Sequence, residues 1–152
     1  MANEIAQLTL SLLVLVFGAG FEESAPKFFG VGFPVLLCAV MFFASRRSVS
    51  RAVVFAIAAG AVEDAISGLP AMTSVSFFLI VALLARWSGF PRFMAVFAFC
   101  GYQMWLWAWV GGLHGGVFAR MLVSLPIGAA TAVAMYAVLM WVTGKAAIDE
   151  QG

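Results

Sequence analysis

The sequence predicts an all-α, polytopic integral membrane protein, and three observations support this fold class. The 152 residues are 64% hydrophobic and only 10% charged, with a mean hydropathy of +1.08. A soluble domain is about half apolar and about a quarter charged, so this composition could not cover a surface that faces water. The apolar residues also fall into six runs separated by short polar segments. These runs do not alternate as barrel strands do, and in lipid a helix satisfies its own backbone hydrogen bonds.

Six transmembrane helices are predicted within a single domain, residues 1–152, which ends in a short polar cytoplasmic tail, residues 145–152. The first run carries Glu4 but no Lys or Arg before it, unlike a secretory signal, so we expect it to remain as a membrane anchor. The predicted spans are about Ile5–Gly20, Phe28–Ala44, Ala52–Ser67, Ala71–Ala85, Phe93–Val110 and Val117–Val142.

Basic residues predict the orientation of these helices. Six of the eight follow the second, fourth or sixth span: Arg46, Arg47, Arg51, Arg86, Arg92 and Lys145. The positive-inside rule places that side, with both termini, in the cytoplasm. The five arginines are therefore interpreted as topology determinants, and the lipid bilayer is the expected surrounding of the six helices. The net charge of +1 provides no broad basic face for nucleic acid.

Two adjacent carboxylates, Glu63 and Asp64, interrupt the third apolar run. Charged side chains at membrane depth are costly and are commonly functional. Only 34 residues, positions 52 to 85, separate Arg51 from Arg86. Two crossings of a ~30 Å hydrocarbon core need roughly 40 helical residues. Asp64 is therefore predicted to lie within the outer half of the membrane.

Helical spacing separates the two carboxylates onto different faces. Asp64 belongs to a stripe of small and polar residues spaced three or four apart, which consists of Gly60, Asp64, Ser67 and Gly68. Such a stripe allows a neighbouring helix to approach closely. Pro70 follows and turns the chain. Glu63 points elsewhere and is interpreted as an interfacial residue.

Three roles remain open for the acidic pair: capping a turn at the outer interface, contact with another helix or a partner, and proton or ion transport. Arg120, near the outer start of the sixth span, is predicted to form an ion pair with Asp64. Lys27 and His114 are the other basic candidates on that side.

No catalytic constellation is visible. His114 is the only histidine and lies in a glycine-rich turn, and Ser67 has no neighbouring histidine to activate it. Cys38 and Cys100 lie in apolar runs and are interpreted as small buried residues. We therefore expect neither enzymatic activity nor a cofactor or metal site.

Aromatic and small residues of the last two spans have simpler interpretations. Three tryptophans near the end of the fifth span are predicted to face lipid at the outer interface: Trp105, Trp107 and Trp109. In the sixth span, small residues spaced four apart supply faces for close helix packing: Gly128 with Ala132, and Ala130 with Ala134.

The segment from Gly60 to Pro70, followed by an apolar run that ends at Arg86, resembles the rod shape-determining protein MreD family. That family typically shows a glycine-containing helix, an aspartate, Ser-Gly-x-Pro and then an apolar helix. The residues that match this motif are Gly60, Asp64, Ser67, Gly68 and Pro70. The motif covers about a fifth of the chain. Two departures occur: Ala71-Met72 stand where the family often has Leu-Gly, and Glu63 stands where the family residue is usually apolar.

The resemblance implies a multi-pass protein of the bacterial cytoplasmic (inner) membrane that acts as a non-enzymatic adaptor in cell elongation, and so in cell shape and peptidoglycan synthesis. Its partner would be an MreC-like bitopic protein, and indirectly MreB filaments, RodA and a class B penicillin-binding protein. The matching residues would then form a partner-binding or structural motif. The fold would resemble that of the substrate-binding subunits of energy-coupling-factor transporters.

Two alternative functions remain open from the sequence. A substrate-binding subunit of a small-molecule transporter would need a polar pocket, for which Glu63, Asp64, Gln103, His114 and Arg120 are the candidate lining. A small ion-coupled carrier would use the acidic pair itself.

Overall fold

The computed structural model describes residues 2–27, 31–88, 91–111 and 116–149. These residues form an all-helical bundle without strands, which confirms the all-α prediction. Residues 107–111, directly after α5, form a π-helical turn. The six α-helices, one in each predicted apolar run, are α1 (Ala2–Ser24), α2 (Val35–Arg46), α3 (Val49–Ser67), α4 (Thr73–Ser88), α5 (Pro91–Leu106) and α6 (Val117–Asp149).

The observed helices depart most from the predicted spans at α2 and α6. Helix α2 begins at Val35, directly after Pro34, and the predicted start at Phe28 lies outside the described residues. Helix α6 continues to Asp149, so residues 145–149 of the predicted tail are helical. Its last residues include Lys145 and two alanines, which are good helix formers.

Two of the described helices are long and apolar enough to cross a membrane, judged by length and composition alone: Ile5–Ser24 within α1 and Phe118–Thr143 within α6. Helices α2 and α4 are apolar but shorter. With 12 residues, α2 is about 18 Å long.

Helix α2 is the centre of the bundle. Every residue from Val35 to Ala44 is buried, and none of them is polar apart from the thiol of Cys38. A helix that is hydrophobic on all sides must be surrounded by other elements. Accordingly, α2 contacts each of the other five helices. The aromatic rings of Phe42 and Tyr136 meet edge to face at 5.3 Å, which joins α2 to α6.

Contacts at the two ends of the bundle show that α1, α2, α3 and α4 alternate in direction. The basic end is defined by Arg46, Arg47, Arg51 and Arg86. There, Arg47 after α2 and Arg51 of α3 bond to the first part of α1, and Arg86 of α4 bonds to the backbone of Arg47. At the acidic end, defined by Glu22, Glu63 and Asp64, the last turns of α1 and α3 meet the first turns of α2 and α4.

Large apolar side chains cover much of the outside of the bundle. Helix α1 shows this most clearly, because only 6% of its most apolar 18-residue stretch is buried. Exposed positions on the two longest helices include Leu8, Val16, Phe17, Phe118, Leu122 and Val133. Apolar surface of this extent indicates that another apolar phase or partner covers it.

Helices α3 and α4 form a hairpin in which the two backbones approach each other closely at Gly60. A Cβ atom built on Gly60 would lie 2.5 Å from the Cα atom of Val75 and 2.7 Å from its backbone nitrogen. Only a residue without a side chain allows α4 to lie so near to α3 at this level. The hairpin geometry therefore depends on Gly60.

We expect Gly60→Ala to lower the stability of the protein by about 1–3 kcal/mol, because the added methyl group meets backbone atoms that cannot rotate away. The matched control is Gly20→Ala in α1, where an added Cβ meets nothing within 4 Å. Alanine has the higher helix propensity, so the control should be as stable as the wild type or slightly more stable. Unfolding of both variants in one detergent measures the difference, and equal stability would contradict the packing argument.

Candidate functional site

The carboxylate of Asp64 caps the first turn of α4. The side chain is buried, with 7% of its surface exposed, and its Oδ1 atom accepts a hydrogen bond of 2.7 Å from the backbone N–H of Ser74. The first N–H groups of a helix have no partner within the helix, and a carboxylate is favoured there by the helix dipole. Asp64 thus acts across the hairpin, from the end of α3 to the start of α4.

The backbone of Asp64 also ends α3. Its carbonyl oxygen accepts the N–H groups of Gly68 and Leu69. Gly68 has φ +62°, the left-handed conformation that glycine adopts most easily. The chain then turns through Pro70, whose carbonyl oxygen accepts both the backbone N–H and the hydroxyl of Thr73. One residue therefore organises both ends of the connection.

Helix α5 covers the same turn with two aromatic side chains. The hydroxyl groups of Ser74 and Tyr102 form a buried hydrogen bond of 2.6 Å, and the indole N–H of Trp105 donates to the carbonyl oxygen of Thr73 at 2.9 Å. The predicted lipid-facing position is therefore wrong for Trp105, which is half-buried and bonded, whereas Trp109 is exposed. Spacing alone could not reveal a bond from α5 to a backbone carbonyl of α4.

Glu22, which the sequence analysis did not select, repeats the role of Asp64 in the first hairpin. Its Oε1 atom accepts a hydrogen bond of 2.8 Å from the backbone N–H of Leu36, in the first turn of α2. In both hairpins an acidic residue in the last turns of one helix caps the next helix. The sequence contains one signal that could have indicated this role: the carboxylate of Glu22 precedes an apolar run that begins after Pro34.

Glu63 takes a different direction from Asp64, as the helical spacing predicts. It is half-buried, its Oε1 atom accepts a 3.0 Å hydrogen bond from the hydroxyl of Ser67, and its carboxyl group lies beside that of Glu22, close enough for a shared hydrogen bond. Ser67 and Gly68 are exposed, so the predicted stripe is buried only at Gly60 and Asp64.

A cavity of about 560 Å³ opens at the acidic end and is lined by residues of all six α-helices. Its buried apolar lining includes Leu37, Phe78 and Phe99. The charged residues and the amide that line it are Glu22, Lys27, Glu63, Gln103 and Arg120. Three of the predicted lining residues, Glu63, Gln103 and Arg120, are therefore brought together.

The structure does not bring Asp64 and Arg120 together. Arg120 is exposed at the cavity, whereas Asp64 does not line it and faces α4. Oδ2 of Asp64 is buried and has no hydrogen-bond partner within the described ranges. The predicted ion pair is therefore not observed, because Asp64 faces the start of α4 and Arg120 faces the cavity. His114 lies outside the described residues.

The arginines predicted as topology determinants also make specific contacts at the basic end. Arg47 donates to the hydroxyl of Ser11 at 2.6 Å and to the carbonyl oxygen of Gln7, and Arg86 donates to the carbonyl oxygen of Arg47 at 2.7 Å. Partial burial and the neighbouring Arg51 lower the pKa of the Arg47 guanidinium from its usual value. The side chain of Arg92 lies outside the described residues.

A second concavity, which we name the α1–α6 groove, has an almost entirely apolar lining and a volume of about 470 Å³. Gly18 of α1 and Ala130, Thr131 and Ala134 of α6 give it small side chains, and Val35 of α2 lies at its base. The predicted pair of Ala130 and Ala134 therefore faces this groove, whereas Gly128 packs against Phe99.

No protein-family model, curated protein or solved structure matches this chain. Within the described residues there is also no group of three His, Cys, Asp or Glu side chains that could hold a metal ion.

Asp64→Leu should destabilise the protein by about 1–3 kcal/mol, because the N–H of Ser74 would be left buried without an acceptor. Asp64→Asn keeps a side-chain oxygen in place and should retain most of the stability. Thermal unfolding of the two variants in one detergent makes the comparison. Equal losses for both would show that the charge of Asp64, and not its hydrogen bond, stabilises the hairpin.

Proposed function

We propose that this chain is an MreD-like, non-enzymatic adaptor of the bacterial cell-elongation machinery, in the cytoplasmic membrane. The observation that carries the proposal is the α3–α4 hairpin. There, three of the residues that match the MreD motif each have a separate structural role. Gly60 allows close backbone contact, Asp64 caps α4, and Gly68 adopts a positive φ. The motif therefore corresponds to one defined structural unit.

The main departure from the family pattern supports the same proposal. Met72 stands where the family often has glycine, and it is the one non-glycine residue with a positive φ in the described part of the chain, at +73°. A left-handed conformation costs a residue with a side chain roughly 1–2 kcal/mol, and glycine adopts it freely. The backbone at this position thus has the conformation for which the family's glycine is suited.

The proposal includes six membrane passes with both termini in the cytoplasm. Three features support it: the alternating direction of the helices, the apolar outer surface, and the separation of basic from acidic residues at opposite ends. Helix α2 is short, and non-helical residues 31–34, which are buried or half-buried, precede it at the acidic end. In this orientation the basic end faces the cytoplasm.

Single cysteines test this topology. In a background with Cys38 and Cys100 replaced by alanine, Ser48→Cys at the basic end should react with a membrane-impermeant thiol reagent only after the cells are opened. Ser67→Cys at the acidic end should react in intact spheroplasts. Both positions are exposed, so access depends on the side of the membrane. Labelling of both positions from the same side would contradict the six-pass arrangement.

The α1–α6 groove is the proposed docking site for the single transmembrane helix of an MreC-like partner. Small residues let two helix backbones approach closely, which is how helices associate in lipid. The groove supplies such residues from two helices, Gly18 from α1 and Ala130 and Ala134 from α6. Asp64 is buried and bonded to α4, so its contribution is to shape the hairpin, not to contact the partner. Through the partner the chain would be linked to MreB filaments, RodA and a class B penicillin-binding protein.

Ala134→Leu tests this docking site. The larger side chain would fill the groove without entering the protein core, because Ala134 is exposed. We expect recovery of the co-expressed MreC-like protein on the purified chain to fall about tenfold, since overpacking a helix contact costs about 1–3 kcal/mol.

The matched control is Val133→Leu, at an exposed neighbouring position that does not line the groove. It should bind the partner as the wild type does. Both variants should unfold at the wild-type temperature. Undiminished recovery with Ala134→Leu would exclude the groove as the docking site, and failure of the wild type to recover the partner would exclude the adaptor role itself.

A further inference from the structure

The cavity at the acidic end has a binding chemistry that the adaptor role does not use. Its volume of about 560 Å³ lies in the range of small-ligand sites, about 300–1,000 Å³. Two carboxyl groups, Glu22 and Glu63, and two cationic groups, Lys27 and Arg120, line the same space. Among the described residues no ion pair joins either carboxyl to either cation. Opposite charges thus face one cavity without neutralising each other.

The carboxyl groups form a site for a cation. Glu22 and Glu63 are neighbours whose carboxyl groups lie close enough to share a hydrogen bond. Glu22 also accepts the N–H of Leu36, and Glu63 accepts the hydroxyl of Ser67. Two carboxylates side by side and partly removed from water disfavour each other's charge. An ammonium group has three N–H donors, so it could donate to both and relieve that repulsion.

The aromatic side chains of the cavity favour the same kind of group. Phe33, Phe78, Phe99 and Tyr102 all contribute to the lining. The negative face of an aromatic ring attracts an ammonium group, most strongly where water is excluded. The lining of the cavity therefore combines hydrogen-bond acceptors with aromatic side chains, which suits a primary or substituted amine.

The two cationic side chains supply the complementary part. Lys27 and Arg120 are exposed at the cavity, where their N–H donors are accessible to a ligand. A guanidinium group binds phosphate or carboxylate in a bidentate manner, and an ammonium group adds a point charge. The two cationic side chains and the two carboxyl groups line the same cavity.

We propose that this cavity binds a zwitterionic group, with its ammonium between Glu22 and Glu63 and its phosphate or carboxylate at Lys27 and Arg120. The four charged residues of this site do not line the α1–α6 groove, and the site does not depend on the adaptor role. The same chemistry could come from a free zwitterion or from the headgroup of an aminophospholipid.

Two probes distinguish these sources. The first is calorimetric titration of the purified full chain with O-phosphoethanolamine, which carries both the ammonium and the phosphate. Ethanolamine, which has only the ammonium, and inorganic phosphate, which has only the anion, are titrated for comparison. Native mass spectrometry of the chain from nanodiscs of equal phosphatidylethanolamine and phosphatidylglycerol detects retained lipid. A free ligand predicts that O-phosphoethanolamine binds at least about tenfold more tightly than either single-charge probe. A headgroup site predicts selective retention of phosphatidylethanolamine.

Glu63→Gln and Arg120→Gln should each weaken the observed binding about tenfold, because each removes one charge-assisted contact. Glu63→Gln leaves the α2 cap intact, since Glu22 makes that bond. Glu23→Gln is the matched control, because Glu23 is exposed beside Glu22 and does not line the cavity. Lys27→Gln, at an exposed residue outside the helices, repeats the test if Arg120→Gln does not fold. The proposal would be overturned if the wild-type protein bound neither O-phosphoethanolamine nor phosphatidylethanolamine. It would also be overturned if the cavity variants bound as tightly as Glu23→Gln.

Discussion

The architecture of this chain depends on acceptors for the first backbone N–H groups of α2 and α4. Both helices begin against other helices, and a buried N–H without a partner costs about 1–3 kcal/mol. In each case the acceptor is a carboxylate from the preceding helix: Glu22 for Leu36 and Asp64 for Ser74. Each bond fixes where one helix starts relative to the end of another. The negative charge is in addition favoured by the dipoles of the helices that it caps.

The two capping bonds place the carboxylates of Glu22, Glu63 and Asp64 at one end of the bundle. This arrangement explains the cavity at that end. Because α2 starts beside the end of α1, and α4 beside the end of α3, Glu22 and Glu63 become neighbours. Helix α5 closes the turn of the second hairpin through Tyr102 and Trp105. The cavity is therefore a consequence of how the hairpins begin, and its acidic side is fixed by the same bonds that stabilise the fold.

Local sequence patterns could predict the helices but not the contacts that join them. Hydropathy gave one helix in each of six runs, and the spacing of Gly60 and Asp64 correctly placed both on a buried face. The role of Glu22 depends on an acceptor 14 residues away from its donor, and that of Trp105 on a carbonyl group 32 residues away. Only the tertiary arrangement brings such groups together. For the same reason the sequence pointed to Arg120 as the partner of Asp64, since both are predicted at a similar depth in the membrane. In the structure Asp64 instead bonds to Ser74 at the start of α4.

The acidic pair therefore contains one structural and one accessible residue. Asp64 matches the family pattern, but its side chain is buried and bonded to α4, so it has little freedom to respond to a ligand. Glu63 departs from that pattern, and it is Glu63 that lines the cavity beside Glu22. A charge at an apolar position costs free energy and does not serve the hairpin, since Asp64 already caps it. The residue that shapes the hairpin and the residue that gives the cavity its charge are thus adjacent in sequence, and the 100° rotation between neighbours in a helix lets them serve separate surfaces.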